Sequence, residues 1–268
     1  MIREPAVAGS FYPASADELK RMIEINIAKA KNGIDKFIGA VVPHAGYVFC
    51  AHVAAYAYAH LAAFDTAIII GPNHYSIGAS PAVSLEDWRT PLGIIKCDTE
   101  LAKGIGVVAD ETAHKYEHSI EVQLPWLQYL YNGKKFVAIS VKASDFNIKT
   151  CKWLGEKIAQ AAISLDRKIV ILASSDFTHH GITYGYTPFG NKVSQVIKGM
   201  KDIDMNIAKY IENIMPEKVI DECKDKNLTI CGYGCISTML WAIKKMGAKE
   251  GSILKYATSF DVSRDISA

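Results

Sequence analysis

No long block of like charge occurs in this chain: its 30 lysines and arginines and 28 aspartates and glutamates are scattered through 268 residues and leave a formal charge of +2. That balance gives no electrostatic footprint for nucleic acid or for an anionic membrane surface. Nor is there an apolar run long enough for a bilayer. The longest low-polarity stretch, residues 51–64, is too short, carries His52 and His60, and reads as a buried helix. The start, MIREPAVAGSFYP, has charges at Arg3 and Glu4 and no unbroken apolar core. It has the form of neither a signal nor a transit peptide, and the expectation is a cytoplasmic protein. A Walker loop, a dinucleotide fingerprint and a Gly-x-Ser-x-Gly elbow are all missing, so nucleotide-driven chemistry has no support. Six cysteines without a secretory leader are expected to be free thiols, with Cys50, Cys97, Cys151 and Cys223 in the core. No linker, internal repeat or low-complexity segment interrupts the chain, which predicts one domain.

Half of the residues are hydrophobic and 22% are charged, enough apolar material for a substantial core. Ser15 and Glu18 fit a capping box, and Leu19, Met22, Ile23 and Ile27 recur at helical spacing, which predicts a first helix reaching about Ala30. Residues 37–42 read as a buried strand, the alanine- and tyrosine-rich segment to Ala63 as a helix, and residues 66–70 as a second strand. This β-α-β order implies parallel strands. Further strands are expected at 81–85, 136–141, 168–173 and 252–260, with a turn at 91–93. Helices are expected at 98–104, 147–163, most of 193–226, and 232–246, and another begins at Glu117 where Pro125 can kink it.

Three histidines closely follow buried strands: His44 in VVPHAGY, His74 in IIIGPNHY and His179 in ILASSDFTHH. In an open α/β sheet, ligands bind beyond the carboxyl ends of the strands, so polar, metal-capable side chains there point to an active site. A single such histidine also serves as an ordinary hydrogen-bonded turn residue; two on parallel strands reach one ion. The segment around Asp176, His179 and His180 adds a carboxylate and two imidazoles, suited to complete an iron site or to do acid–base work beside it. A capping aspartate with solvated histidines is the plainer alternative.

Cys231 and Cys235 sit before an apolar helix containing Ile236, Met239, Leu240 and Ile243. A thiol at a helix N-terminus meets the positive end of the dipole, which lowers its pKa and frees the thiolate as ligand or nucleophile. Structural zinc wants a second cysteine pair nearby in sequence, and there is none. In Glu117-His118-Ser119-Ile120-Glu121 only one histidine is present, so the zincin pattern is not met. His118 and Glu121 are expected on one helical face, where they line a pocket or, by default, hydrogen-bond each other.

Six ordered motifs carry a family resemblance: Arg3-x-Pro5-Ala6-Val7-Ala8-Gly9-x-Phe11-Tyr12-Pro13, Pro43-His44-Ala45-Gly46-Tyr47, Gly71-Pro72-Asn73-His74, Glu117-His118-Ser119-Ile120-Glu121-x-x-Leu124-Pro125, Ser175-Asp176-Phe177-x-His179 and Cys231-Gly232-Tyr233-Gly234. In this order the chain resembles the Memo family, whose fold is similar to that of class III extradiol ring-cleaving dioxygenases, which are non-haem iron enzymes. The resemblance implies an α/β fold with a mainly parallel central sheet flanked by helices, in one domain over residues 1–268. It also implies that His44, His74 and Cys231 surround a metal, with Asp176 and His179 beside it. Fe(II) is the expected ion. A thiolate standing where the dioxygenases have a carboxylate widens the choice to Cu or Zn. His179 resembles the histidine that moves protons in ring cleavage. Two positions depart from the pattern: His180 stands where an aromatic residue is usual, and Cys235 where proline is usual. Animal relatives are described as signalling mediators, and prokaryotic ones often accompany a radical-SAM protein.

The leading expectation is therefore a mononuclear metal oxidoreductase, dioxygenase-like, acting on an organic substrate. A second is a protein that captures a peptide or small molecule in the same pocket without breaking bonds, with Tyr12, Tyr47, Trp88 and Tyr233 as walls unless they are core. A third is a metal- or cysteine-dependent hydrolase, with Cys231 as nucleophile and His179 as base.

Overall fold

The protein is described by a computed structural model covering residues 1–30 and 36–265. In chain order its elements are β1 (Ile2–Arg3), α1 (Ala16–Ala30), β2 (Gly39–Val42), α2 (Tyr47–Ala59), β3 (Thr66–Pro72), β4 (Ala82–Val83), β5 (Asp87–Thr90), β6 (Gly93–Ile95), α3 (Thr99–Ile105), β7 (Val108–Ala109), α4 (Leu124–Leu130), β8 (Lys135–Val141), α5 (Ile148–Ser164), β9 (Ile169–Ser174), α6 (Val193–Glu212), α7 (Pro216–Asp225), α8 (Tyr233–Lys245) and α9 (Phe260–Ser263).

Six strands form the main sheet in the order β2-β9-β3-β8-β4-β7. The first four are mutually parallel, β4 runs antiparallel to β8, and β7 is parallel to β4. Strand β3 is buried along its whole length, as is β9, and β8 is buried beyond Lys135. That is why they appear in the sequence as continuous apolar runs: both faces of a parallel sheet are covered by helices. On one side α1, α2 and α4 pack together; α3, α5, α7 and α8 form the other layer. Helix α1 turns Leu19, Ile23, Ile27 and Ala30 inward, and its first-turn Glu18 amide reaches the Ser15 hydroxyl. A small second sheet, β1-β5-β6, holds the N-terminus, with residues 91–92 turning β5 into β6. One hydrophobic cluster runs from Val7 to Ile243. No helix among the described residues is long and apolar enough to cross a membrane.

The β-α-β segment gives parallel strands as expected, with β9 inserted between β2 and β3. Two expectations need correction. Residues 117–123 do not begin an α-helix. The Glu117 carboxylate accepts the amides of His118 and Ser119, which fixes a turn, and Pro125 then sits in the first turn of α4 where no amide hydrogen is required. Residues 252–260 form no strand. Their backbone is held by α6, through Gly251 N–H on the Glu212 carbonyl and Ile253 N–H on its carboxylate, and by a Thr258–Asp261 turn.

Candidate metal site

Adjacency of β2, β9 and β3 decides where the site lies. All three point their carboxyl ends to one edge, and His44, Asp176 and His74 leave from those ends. Two glycines permit the close approaches that complete it. A Cβ on Gly71 would lie 2.4 Å from the Ser119 hydroxyl, and one on Gly232 would lie 2.5 Å from the Ser174 carbonyl oxygen. Without side chains there, the 117–120 segment packs on β3, and Cys231 reaches the end of β9.

His44, His74 and His118 offer nitrogen atoms that all lie within 4.8 Å of one another. The His74 and His118 rings stack at 4.7 Å between centroids, and His44 meets both edge-on, at 5.1 Å from His74 and 5.4 Å from His118. Their hydrogen bonds assign the tautomers of His44 and His74. Ser174 Oγ donates its single proton to the Ser119 carbonyl at 2.6 Å and accepts Gln123 Nε2–H, so at His44 Nδ1, 3.0 Å away, it accepts. His74 Nδ1 lies 2.9 Å from Glu117 Oε1. Burial opposes ionisation of Glu117, yet hydrogen bonds from His74 and the Ser119 amide, helped by the positive character of His74 and His118, hold its carboxyl down to about 2. It is a pure acceptor, and His74 Nδ1 carries the proton. Both rings thus commit Nδ1 to a fixed partner and leave Nε2 as the nitrogen available to an ion, in the carboxylate–histidine and hydroxyl–histidine arrangements that orient metal ligands.

His44 is held neutral: burial, outweighing the nearby Asp176 carboxylate and reinforced by His74 and His118, lowers its pKa to about 4. Burial likewise lowers the pKa of His118. Neutral imidazoles are what a cation requires. Cys231 Sγ lies 3.2 Å from His44 Nε2. Burial, and then the Asp176 carboxylate, push its thiol well above the ordinary range. This reverses the expectation of a thiol activated by the helix dipole: Gly232, not Cys231, caps α8, and desolvation dominates. Without an ion the thiol donates to His44 Nε2; a bound cation would have to displace that proton.

Asp176 accepts the His44 amide through Oδ1 at 2.8 Å, and its Oδ2 lies 3.9 Å from His44 Nε2. His179 sits farther along the same loop. Its Nδ1 donates to the Thr229 carbonyl at 2.8 Å and its ring packs on Tyr184. The structure therefore brings His44, His74, Asp176 and Cys231 to one edge, adds His118 to the imidazole group, and leaves His179 beside it.

His118 does not bond to Glu121. Glu121 is fully buried and receives Arg3 Nη1 at 2.6 Å, the amides of Ala6 and Val7, and the Tyr12 hydroxyl. Arg3 also donates to the carbonyls of His114 and Glu117 and lies over Trp88. The N-terminal motif is thereby strapped to the site, with Phe11 against the His118 ring at 4.6 Å. Tyr12, Tyr47 and Trp88 are core residues, bonded to Glu121, the Val122 carbonyl and Ser84. Sequence reasoning gave no role to Glu117, Ser174, Gln123 or Thr229. The available signals were a glutamate directly before His118 and a hydroxyl ending an otherwise apolar strand.

An α/β sheet with three imidazoles gathered at the carboxyl-end edge of its parallel strands defines a candidate metal-binding class of site. A profile of the family described as Memo-like protein matches residues 3–268. The chain is 39% identical to a MEMO1 family protein of Methanosarcina mazei, over 98% of this chain and 94% of that protein. It is also 39% identical to a MEMO1 family protein of Methanopyrus kandleri (100% and 95%) and 38% identical to one of Pyrococcus abyssi (100% and 96%). This chain belongs to the Memo-like family.

Proposed function

We propose that the protein is a cytoplasmic, mononuclear metal-dependent oxidoreductase, related in fold to class III extradiol dioxygenases, with Fe(II) as its ion and Cu or Zn as competitors. His44 and His74 would hold the ion through Nε2, and Cys231 and His118 flank the position where a third ligand is needed. The single observation that carries this is the convergence of three imidazoles, two of which, His44 and His74, have their Nδ1 atoms committed elsewhere, to Ser174 and Glu117. An ion bound there supplies Lewis acidity and, if iron or copper, redox capacity.

The chain's own residues prepare the rest. Asp176 is tethered to the His44 amide, so one of its oxygens is fixed while the other faces the site, where it can orient a water or a substrate hydroxyl. His179 has Nδ1–H anchored on Thr229, which makes Nε2 the atom that takes or returns a proton. The hydrolase reading is less well supported, because Cys231 contacts His44 and the Asp176 carbonyl while His179 is tied to Thr229.

The test is oxygen consumption by iron-reconstituted protein with a panel of organic substrates. The proposal expects turnover that falls at least about a hundredfold in His179→Ala. Turnover that persists in metal-free protein would overturn it.

A further inference from the structure

Two cavities meet along β2, the outermost strand of the main sheet. One, of about 370 Å³, lies beside Asp176 and His179, outside the three-imidazole group. The other, of about 450 Å³, runs back from it between β2, α6, α8 and residues 246–256. Val41, Pro43, Val53, Phe177, Lys255 and Tyr256 line both, so the two adjoin and make one trough leading away from the strand ends. Each volume is in the range of small-molecule sites.

The two ends differ in chemistry. The larger cavity is walled by Met205, Ile211, Met239, Ile243 and Met246, and methionine side chains adapt to the shape of a flexible chain. Charged groups in its lining are engaged or turned to water. Lys36 donates to the Ala59 carbonyl, the Glu212 carboxylate takes the Ile253 amide, the Lys255 ammonium lies over the Tyr56 ring, and Glu250 is exposed. Such a lining favours hydrocarbon over a charged group. The smaller cavity is polar where it nears the imidazoles. Asp176 Oδ1 takes the His44 amide and His179 Nδ1 donates to Thr229, which leaves Asp176 Oδ2 and His179 Nε2 as acceptors. His180 lines the same cavity with 7% exposure, and neither of its ring nitrogens has a hydrogen-bond partner among the described residues. Two acceptors beside an unpartnered imidazole fit a head group that both donates and accepts, as a hydroxyl does. A neutral head also brings no charge against either the Asp176 carboxylate or an ion at the imidazoles.

We propose that the trough binds an amphiphile with an unbranched aliphatic chain and a neutral hydroxyl head, the chain lying along β2 and the head at Asp176, His179 and His180. The proposal rests on the reading of the adjoining centre as one that acts on an organic molecule, and it names the substrate class. The discriminating experiment is calorimetric titration of the whole chain, metal-free and metal-loaded, with the straight-chain alcohols from 1-butanol to 1-decanol. Affinity is expected to rise about fourfold for each added CH2. Ala248→Trp, which adds bulk to the wall of the larger cavity, and Met205→Lys, which puts a charge there, should each flatten this rise among the longer alcohols while metal content stays unchanged. His180→Phe keeps an aromatic ring and removes both nitrogens. It should weaken every alcohol several-fold by a similar factor and leave the rise per CH2 intact. Affinity that does not grow with chain length, a rise that survives both Ala248→Trp and Met205→Lys, or unaltered binding by His180→Phe overturns the proposal. Metal content measured on the same samples keeps the two readings apart. Chain-length-dependent binding by a protein that holds no metal would defeat the metal centre alone, and full metal uptake without that dependence would defeat the trough alone.

Discussion

Glu117 spends one buried carboxylate on four donors: the His74 ring and the amides of His74, His118 and Ser119. A neutral amide cannot serve them equally, since its nitrogen donates. Glu117→Gln is therefore expected to loosen the His74 ring and to lower metal affinity about 10- to 100-fold, measured by chelator competition. Unchanged affinity would show that the carboxylate only fixes the turn. At this scale the sequence revealed the chemistry-bearing residues better than their partnerships. His44, His74, Asp176, His179 and Cys231 stand out because each follows or precedes an apolar run. Glu117, Ser174 and Thr229 do not, because orienting a ring depends on contacts between residues as far apart as His44 and Ser174, or His74 and Glu117. Cys231 shows the opposite failure. A helix-terminus argument is local, whereas the state of the thiol is set by burial and by Asp176, which comes from another element.

Between elements, the site depends on backbones that approach more closely than side chains allow. Gly232 lets the segment before α8 rest on the end of β9, where a Cβ would meet the Ser174 carbonyl and Ser175. Gly232→Ala should cost about 1–3 kcal/mol and move Cys231 away from His44. The first effect is read from chemical denaturation, and the second from faster alkylation of Cys231. Full stability with unaltered thiol reactivity would contradict the packing described here. Most elements were legible because burial on both faces writes β3, β8 and β9 as unbroken apolar runs, while the spacing of Leu19, Ile23 and Ile27 writes α1. Residues 252–260 have the composition of a strand but find Glu212, Asp204 and Asp261 as partners, and such tertiary bonds override propensity. The insertion of β9 between β2 and β3 was not legible either, because strand order is a property of the whole chain.

Across the whole molecule, buried neutral histidines tie stability to pH. Burial lowers His44 to about 4, and burial with the charge of Arg3 lowers His114 to about 4, against an ordinary value of 6.5. Between those pH values the unfolded chain binds protons that the native state refuses. Stability is therefore complete above about pH 6.5 and is lost as the pH falls towards 4, by roughly 3 kcal/mol per histidine. Glu117 acts in the same direction at lower pH, its contribution fading as the pH drops from the ordinary carboxylate range towards 2. Urea midpoints of chelator-treated protein should fall steadily from pH 7 to pH 4; a flat profile would mean that these rings are protonated in place. The most direct test of the account is metal stoichiometry, with X-ray absorption to identify the ligands, on protein purified without oxygen. It predicts one ion per chain with imidazole nitrogens in its shell, and loss of that ion in both His44→Ala and His74→Ala. Protein that takes up no ion, or that keeps its full complement in His44→Ala, would contradict it.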